Sequence, residues 1–238
     1  MDNVVVLVSG GLDSVVLTHY LRKVKKIQDI KLIFVNYGQK SFEEELFCVK
    51  RLAEDLDCGL EIIDSKWLGK ISTSLINKTT KQNIKEIKED EEIISWYVPC
   101  RNAIFLLIGL AVAEAEFISK KKKYDIYFGI KYEGNLKFKD TTPEFLEQMN
   151  KLTGFCTQEG KFNFIAPFLN KEKEEVIELA EKLKVDFKKT YSCYIGKGFD
   201  KKGVPIHCGV CGSCKARKKA FKFSKVGDLT VYKNVQTK

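Results

Sequence analysis

Residues 3–20 read NVVVLVSGGLDSVVLTHY. Asn3 to Val8 is an unbroken apolar, β-branched run, the pattern of a strand buried on both faces. From Leu12 the rhythm changes, and Leu12, Val15, Val16, Leu17 and Leu21 recur at the spacing of one helix face. Between the two lies Ser9-Gly10-Gly11-Leu12-Asp13-Ser14, a glycine-rich corner from strand to helix. Such a corner cradles phosphate. Gly10 and Gly11 lack a Cβ, so the backbone can approach an anion and take positive φ. The helix start offers unpaired N–H groups and a positive dipole end, and Ser9 and Ser14 add hydroxyl donors. Asp13 is a carboxylate in an anion site, which suits an N-terminal cap or a partner for Mg²⁺ bound to phosphate. The dinucleotide pattern G-x-G-x-x-G is absent from this corner. The G-x-x-x-x-G-K-[ST] pattern also fails, because residues 154–161 have the wrong spacing and Phe162 follows them.

The same grammar continues outward. Residues 31–35 read as a second buried strand, ended by Asn36-Tyr37-Gly38. Ser41 is placed as the N-cap of a helix to residue 57, with Glu44 completing a capping box. Residues 60–63 form a third strand, 124–130 a fourth and 162–166 a fifth. Pro99 is placed to open a long apolar helix through residue 118. Shorter helices are expected over 143–152, 171–183 and 215–221. Strands alternating with helices predict an α/β fold, a five-stranded parallel sheet with helices on both faces. The division expected is a main domain over 1–188 and a C-terminal cysteine region over 189–238. Residues 69–95 are polar and rich in Lys, Glu and Thr, and read as a surface excursion.

The whole chain, 238 residues with 44% hydrophobic and 31% charged, is of ordinary globular composition. Its net charge of +9 is almost all lysine scattered among glutamates, with only Arg22, Arg51, Arg101 and Arg217 as arginines. That pattern argues against a dedicated nucleic-acid surface, which favours the planar arginine fork. The longest apolar run, 103–113, is shorter than the roughly 20 residues a bilayer span requires. No stretch has the order of a secretory signal, so no membrane role and a cytoplasmic location are expected. Eight cysteines without such a signal speak against a disulfide framework. Four of them, Cys193, Cys208, Cys211 and Cys214, crowd together and offer the soft ligands of a structural Zn²⁺ site. Gly209 and Gly212 permit the turns, and Lys215, Arg217 and Lys218 lower the thiolate pKa. An iron–sulfur cluster is the main rival, with His207 as a flanking residue and redox disulfides third.

The corner Ser9–Ser14 resembles the PP-loop of the N-type ATP pyrophosphatases, a Rossmann-like family. That resemblance implies ATP, with Mg²⁺, cleaved between its α- and β-phosphates. It places Val8, Ser9, Gly10, Gly11, Leu12, Asp13, Ser14, Asn36, Tyr37, Gly38 and Gln39 around the nucleotide. Further pieces are similar to one family within that group, QueC, the 7-cyano-7-deazaguanine synthases of queuosine biosynthesis. They are YGQK (37–40), YVPCRN (97–102), FLNKEK (168–173), SCYIG (192–196) and HCGVCGSCKAR (207–217). The resemblance runs from residue 5 to 221. It implies adenylation of 7-carboxy-7-deazaguanine, attack by ammonia to give an amide, and a second activation that dehydrates the amide to a nitrile. It gives catalytic roles to Ser9, Asp13, Ser14, Arg101 and Lys171, and substrate contacts to Arg101, Asn102, Lys131 and Asp140. It also implies a homodimer; the apolar helix over 103–113 suits either a contact face or the core. Two departures stand out: Cys100 occupies a family glycine, and the stretch 131–142 differs from the family's base-pocket segment. That divergence opens two alternatives. One is a QueC-like ligase joining a deazaguanine acid to a protein amine in antiphage defence. The other is a PP-loop tRNA-modifying enzyme.

Overall fold

The computed structural model describes residues 3–78, 87, 89–132, 138–158 and 161–233. Five parallel strands form the central sheet: β1 (Asn3–Val8), β2 (Asp29–Asn36), β3 (Gly59–Asp64), β4 (Asp125–Phe128) and β5 (Phe164–Ile165). Their order is β3-β2-β1-β4-β5. β1 pairs with β2 from Asn3 opposite Asp29 to Val8 opposite Phe34, and with β4 from Val4 opposite Asp125. The chain builds outward from β1 to β3, then crosses to the other side of β1. That reversal leaves a crevice at the C-terminal ends of β1 and β4, where open parallel sheets receive ligands.

The unbroken apolar run of β1 follows from helices on both faces. Val4, Val6 and Val8 pack among Leu12, Val16 and Leu17 of α1 (Leu12–Lys23), Val49 and Leu52 of α2 (Phe42–Leu56) and Val176 of α7 (Lys173–Lys182). Val5 and Leu7 point the other way, into Leu106, Leu110 and Ala113 of α5 (Arg101–Lys120) and Met149 of α6 (Pro143–Cys156). By length and apolarity alone, the segment Ile94–Lys120 is sufficient to cross a membrane. Counting only the uninterrupted run 103–113 understates it, because the helix continues past Glu114. One face of α5 is packed on β1 and β4.

Several local expectations change. The Ser41–Glu44 capping box does not form: the Ser41 hydroxyl donates to Glu45 Oε1 at 2.6 Å, and Glu44 accepts from the Gly198 N–H. Pro99 lies outside α5, and the N-cap is Cys100 in the left-handed region at φ 56°. The excursion 69–95 holds part of a third core, except for residues 79–86 and 88, which lie outside the described residues. α3 (Lys66–Ile71) and α4 (Glu89–Trp96) overlap its two ends, and Ile76 and Ile87 within it are buried in one core with Leu68 and Trp96 at its borders and with Tyr37. A few apolar residues at wide spacing escape a periodicity reading. The C-terminal helix α8 (Gly212–Ser224) is longer than expected, and the pair β6 (Ile206–His207) and β7 (Val231–Tyr232) was not foreseen. α8 places Phe221 edge-on against Phe187, 4.9 Å between ring centres.

Candidate active site

The corner after β1 is built from its own polar groups. The Ser9 N–H and the Ser14 hydroxyl lie 3.3 Å apart, Ser14 Oγ donates to Gly11 O at 3.1 Å, and the Gly11 N–H donates to Ser9 Oγ at 3.3 Å. Gly10 takes φ 70°, and a Cβ there would stand 2.7 Å from the Glu45 carbonyl oxygen. The close approach leaves no room for a Cβ, and the positive φ favours glycine further. Gly11, not Asp13, is the N-cap of α1. Asp13 sits in the first turn, with Oδ1 buried and without a hydrogen-bond partner and Oδ2 3.4 Å from Lys173 Nζ. Gly129, just past β4, closes the corner from the far side, where a Cβ would meet the Ser14 backbone nitrogen at 2.8 Å.

Two cavities open at this crevice. The first, about 300 Å³, is lined by Val8, Ser9, Gly11, Leu12, Asp13 and Ser14, with Tyr37 and Gln39 from the loop after β2. Gly10, Asn36 and Gly38 support that wall without lining it: the Asn36 side chain accepts from the Gly38 N–H at 3.2 Å. The second cavity, about 190 Å³, contains Lys131 and Asp140. Asp13, Arg101, Asn102, Lys173 and Tyr194 border both. Lys171 lines neither. Its ammonium lies at the surface, 3.3 Å from Glu175. The cation at the corner is therefore Lys173, at the first position of α7. Its signal was present in FLNKEK, but two lysines there are two residues apart and only the helix start separates them.

Glu45 is a second residue that motif reading passed over. Its carboxyl lines the first cavity, held by Ser41 Oγ and by Gln39 Nε2 at 3.0 Å. Burial pushes its pKa up to about 7, against the opposing pull of those two bonds and of Arg101. In the second cavity burial likewise raises Asp140, while Arg101 opposes. Asn102 Nδ2 donates to the Asp140 carbonyl at 3.2 Å, and Lys131 pairs with Glu172 at 3.1 Å. Tyr97 and Phe138 present near-parallel rings, 6.4 Å between centres and 28° between planes. Residues 133–137 of the divergent stretch lie outside the described residues.

Cys193, Cys208, Cys211 and Cys214 are buried, and their sulfurs all lie within 4.8 Å of one another. The Cys208 and Cys214 sulfurs are 3.9 Å apart, close to the edge, about 3.8 Å, of a tetrahedron with Zn–S bonds near 2.3 Å. Backbone N–H groups of Cys208, Val210 and Cys211 point at sulfur. Bonds from its three neighbours pull the Cys208 thiol pKa down, while Cys211 and Cys214 are pushed up. Four thiolates at this spacing are stable together only around a cation, so the donor set fits a metal ion. His207 flanks the set: its Nε2 accepts from the Ser192 N–H at 3.1 Å.

A family profile described as "Queuosine biosynthesis protein QueC" matches residues 3–225. The chain belongs to the QueC family. Among similar proteins, a 7-cyano-7-deazaguanine synthase from Methanosphaera stadtmanae is 34% identical over 240 residues, covering 96% of this chain and 97% of the relative. One from Methanocaldococcus jannaschii is 34% identical over 239 residues, covering 96% and 98%. Two solved structures are more distant. An NMN synthetase from Francisella tularensis has 14% identity and a TM-score of 0.42, covering 95% of this chain and 78% of that one. An NH3-dependent NAD synthetase from Campylobacter jejuni has 17% identity and a TM-score of 0.40, covering 77% and 65%. Membership makes this QueC-family chain an enzyme of the queuosine biosynthesis group with a nucleotide-type corner. The defence-ligase and tRNA-modification alternatives have no support in these relatives.

Proposed function

We propose that the chain is an ATP-dependent synthase acting on 7-carboxy-7-deazaguanine, releasing AMP and pyrophosphate and passing through an amide to the nitrile. One observation carries the reading: two cavities meet at a wall of one carboxylate, Asp13, and two cations, Arg101 and Lys173. ATP fills the first cavity with its β- and γ-phosphates in the corner. The flat acid fills the second beside the rings of Tyr97 and Phe138, and Asp140 accepts N–H bonds from its amidine edge.

A carboxylate oxygen of the acid attacks the α-phosphorus and the bond to the bridging oxygen breaks. Negative charge grows on the leaving pyrophosphate, where the N–H groups of Gly11 and the α1 start, Lys173 and Arg101 stabilise it. The buried Oδ1 of Asp13 is the natural ligand for Mg²⁺, which when bound neutralises phosphate charge. Ammonia then displaces AMP at the acyl carbon. A second ATP activates the amide oxygen, and loss of that oxygen with AMP leaves the nitrile. Zn²⁺ is the ion proposed for the four cysteines, in a closed structural site. We take the enzyme to be cytoplasmic and a homodimer, with Leu107 and Ile118, exposed on α5, in the contact.

The test is mass spectrometry of the products from purified protein, ATP, the acid and ammonia. Equal amounts of AMP and pyrophosphate with the nitrile support the reading. ADP and orthophosphate, or AMP without nitrile at saturating ammonia, overturn it.

A further inference from the structure

The four-cysteine region is set into the cavity walls. Ser192 and Tyr194 flank Cys193, Ser213 lies between Cys211 and Cys214, and all three line the first cavity. Tyr194 also lines the second. Two residues before Cys193, the Tyr191 N–H donates to the Gly10 carbonyl at 2.8 Å, so this strap is tied to the phosphate corner. The Tyr194 ring stands 5.0 Å from that of Trp96, the last residue of α4. Its phenol interacts with Ser213 and lies within the electrostatic reach of Arg101. Trp96 is buried and forms the α4 side of the second cavity.

We infer that the metal centre is a positioning element of the active site: it fixes Cys193, and Tyr194 beside it holds Arg101 and Trp96 at the wall shared by the two cavities. A metal knot packed away from a crevice only adds stability. Here the ligand loops are themselves the wall, and a side chain adjoining one ligand lines both cavities together with Arg101 and packs its ring on Trp96 of α4. Fixing the sulfurs fixes the Cα positions on either side, which removes the rotational freedom that would let Tyr194 drift. Preorganised groups act without reorganisation when charge develops.

The kinetic arm rests on the function proposed above; the spectroscopic arm does not. Tyr194→Phe keeps the ring and loses the hydroxyl. In metal-loaded full-length protein it retains metal content and Tm, while kcat for AMP formation falls about tenfold, the worth of the phenol's hydrogen bond to Ser213. KM for ATP is held. A merely structural role would move Tm or metal content instead. For the second arm, Trp67→Phe removes the other tryptophan, which is exposed, leaving Trp96 as the sole emitter. Adding Tyr194→Ala to metal-loaded protein shifts Trp96 emission to the red, and chelation of the Trp67→Phe protein produces the same shift. Wild-type kcat in Tyr194→Phe, or an unmoved Trp96 emission in Tyr194→Ala, overturns the inference. If the wild type makes no AMP from the acid, the proposed function fails, while the emission arm still decides the coupling.

Discussion

Glu45→Gln should change how stability depends on pH, by an amount the structure sets. The Glu45 carboxyl is enclosed by α2, by the loop after β2 and by the phosphate corner, and it receives Ser41 Oγ and Gln39 Nε2. Burial raises its pKa from 4.5 to about 7, Glu44 adds to the rise, and Ser41, Gln39 and Arg101 oppose it. The difference of about 2.5 units, at about 1.4 kcal/mol each, sets a ceiling of about 3–4 kcal/mol. Water in the cavity lowers the realised value to about 1–3 kcal/mol. The sign follows from proton counting. Between pH 4.5 and 7 the folded state holds a proton the unfolded chain has lost, so this group's contribution is full below 4.5 and gone above 7. Urea unfolding of wild type and Glu45→Gln at intervals from about pH 4.5 to about pH 8 isolates it. The stability of the variant minus that of the wild type should climb by about 1–3 kcal/mol across that range and then level. A difference that stays flat would show that the carboxyl is well solvated and would refute the reasoning.

Cys100→Gly should raise stability by about 1 kcal/mol, read as a higher Tm, because a non-glycine residue at φ 56° is strained and the Cys100 side chain makes no cap bond. Lys173→Met should lower AMP formation roughly 100-fold through loss of a cation at the developing pyrophosphate charge. Lys171→Met, whose ammonium lies on exposed Glu175, should lose far less in the same product assay. Arg217→Met should cost about 3 kcal/mol or more by urea titration. Arg217 is fully buried and donates to Thr230 Oγ1, Ser192 Oγ, Thr190 Oγ1 and the Phe187 carbonyl, and its removal takes a charged donor from all four, with Thr190 fully buried.

Much of the fold was legible because local rules and global fold agree. The change from continuous to helical periodicity at residues 8–12 is a backbone statement, and it marked β1, the corner and the start of α1 within a residue. The four clustered cysteines were legible for a similar reason, since few arrangements satisfy soft ligands at C-x-x-C-x-x-C spacing. Membership of QueC was carried by the order of short pieces. What escaped depended on direction in space. Glu43, Glu44 and Glu45 are chemically alike, yet Glu44 turns to Gly198 and Glu45 to the cavity, because successive residues on a helix face about 100° apart. Lys171 and Lys173 differ only in which side of the α7 start they occupy. The excursion 69–95 looked polar because its buried side chains are few and widely spaced.

From the sequence alone came the strand–corner–helix unit, the parallel α/β architecture, the soft-metal donor set and the family. These rest on periodicity, on the steric freedom of glycine and on ligand chemistry, all of which act over a few neighbouring residues. Only the tertiary structure decided that Lys173 faces Asp13, that Glu45 sits in the first cavity, and that the metal region walls both cavities through Tyr194. Each of those brings together residues from distant parts of the chain. The sheet order and the packing of the helices create that proximity, and no local pattern encodes it.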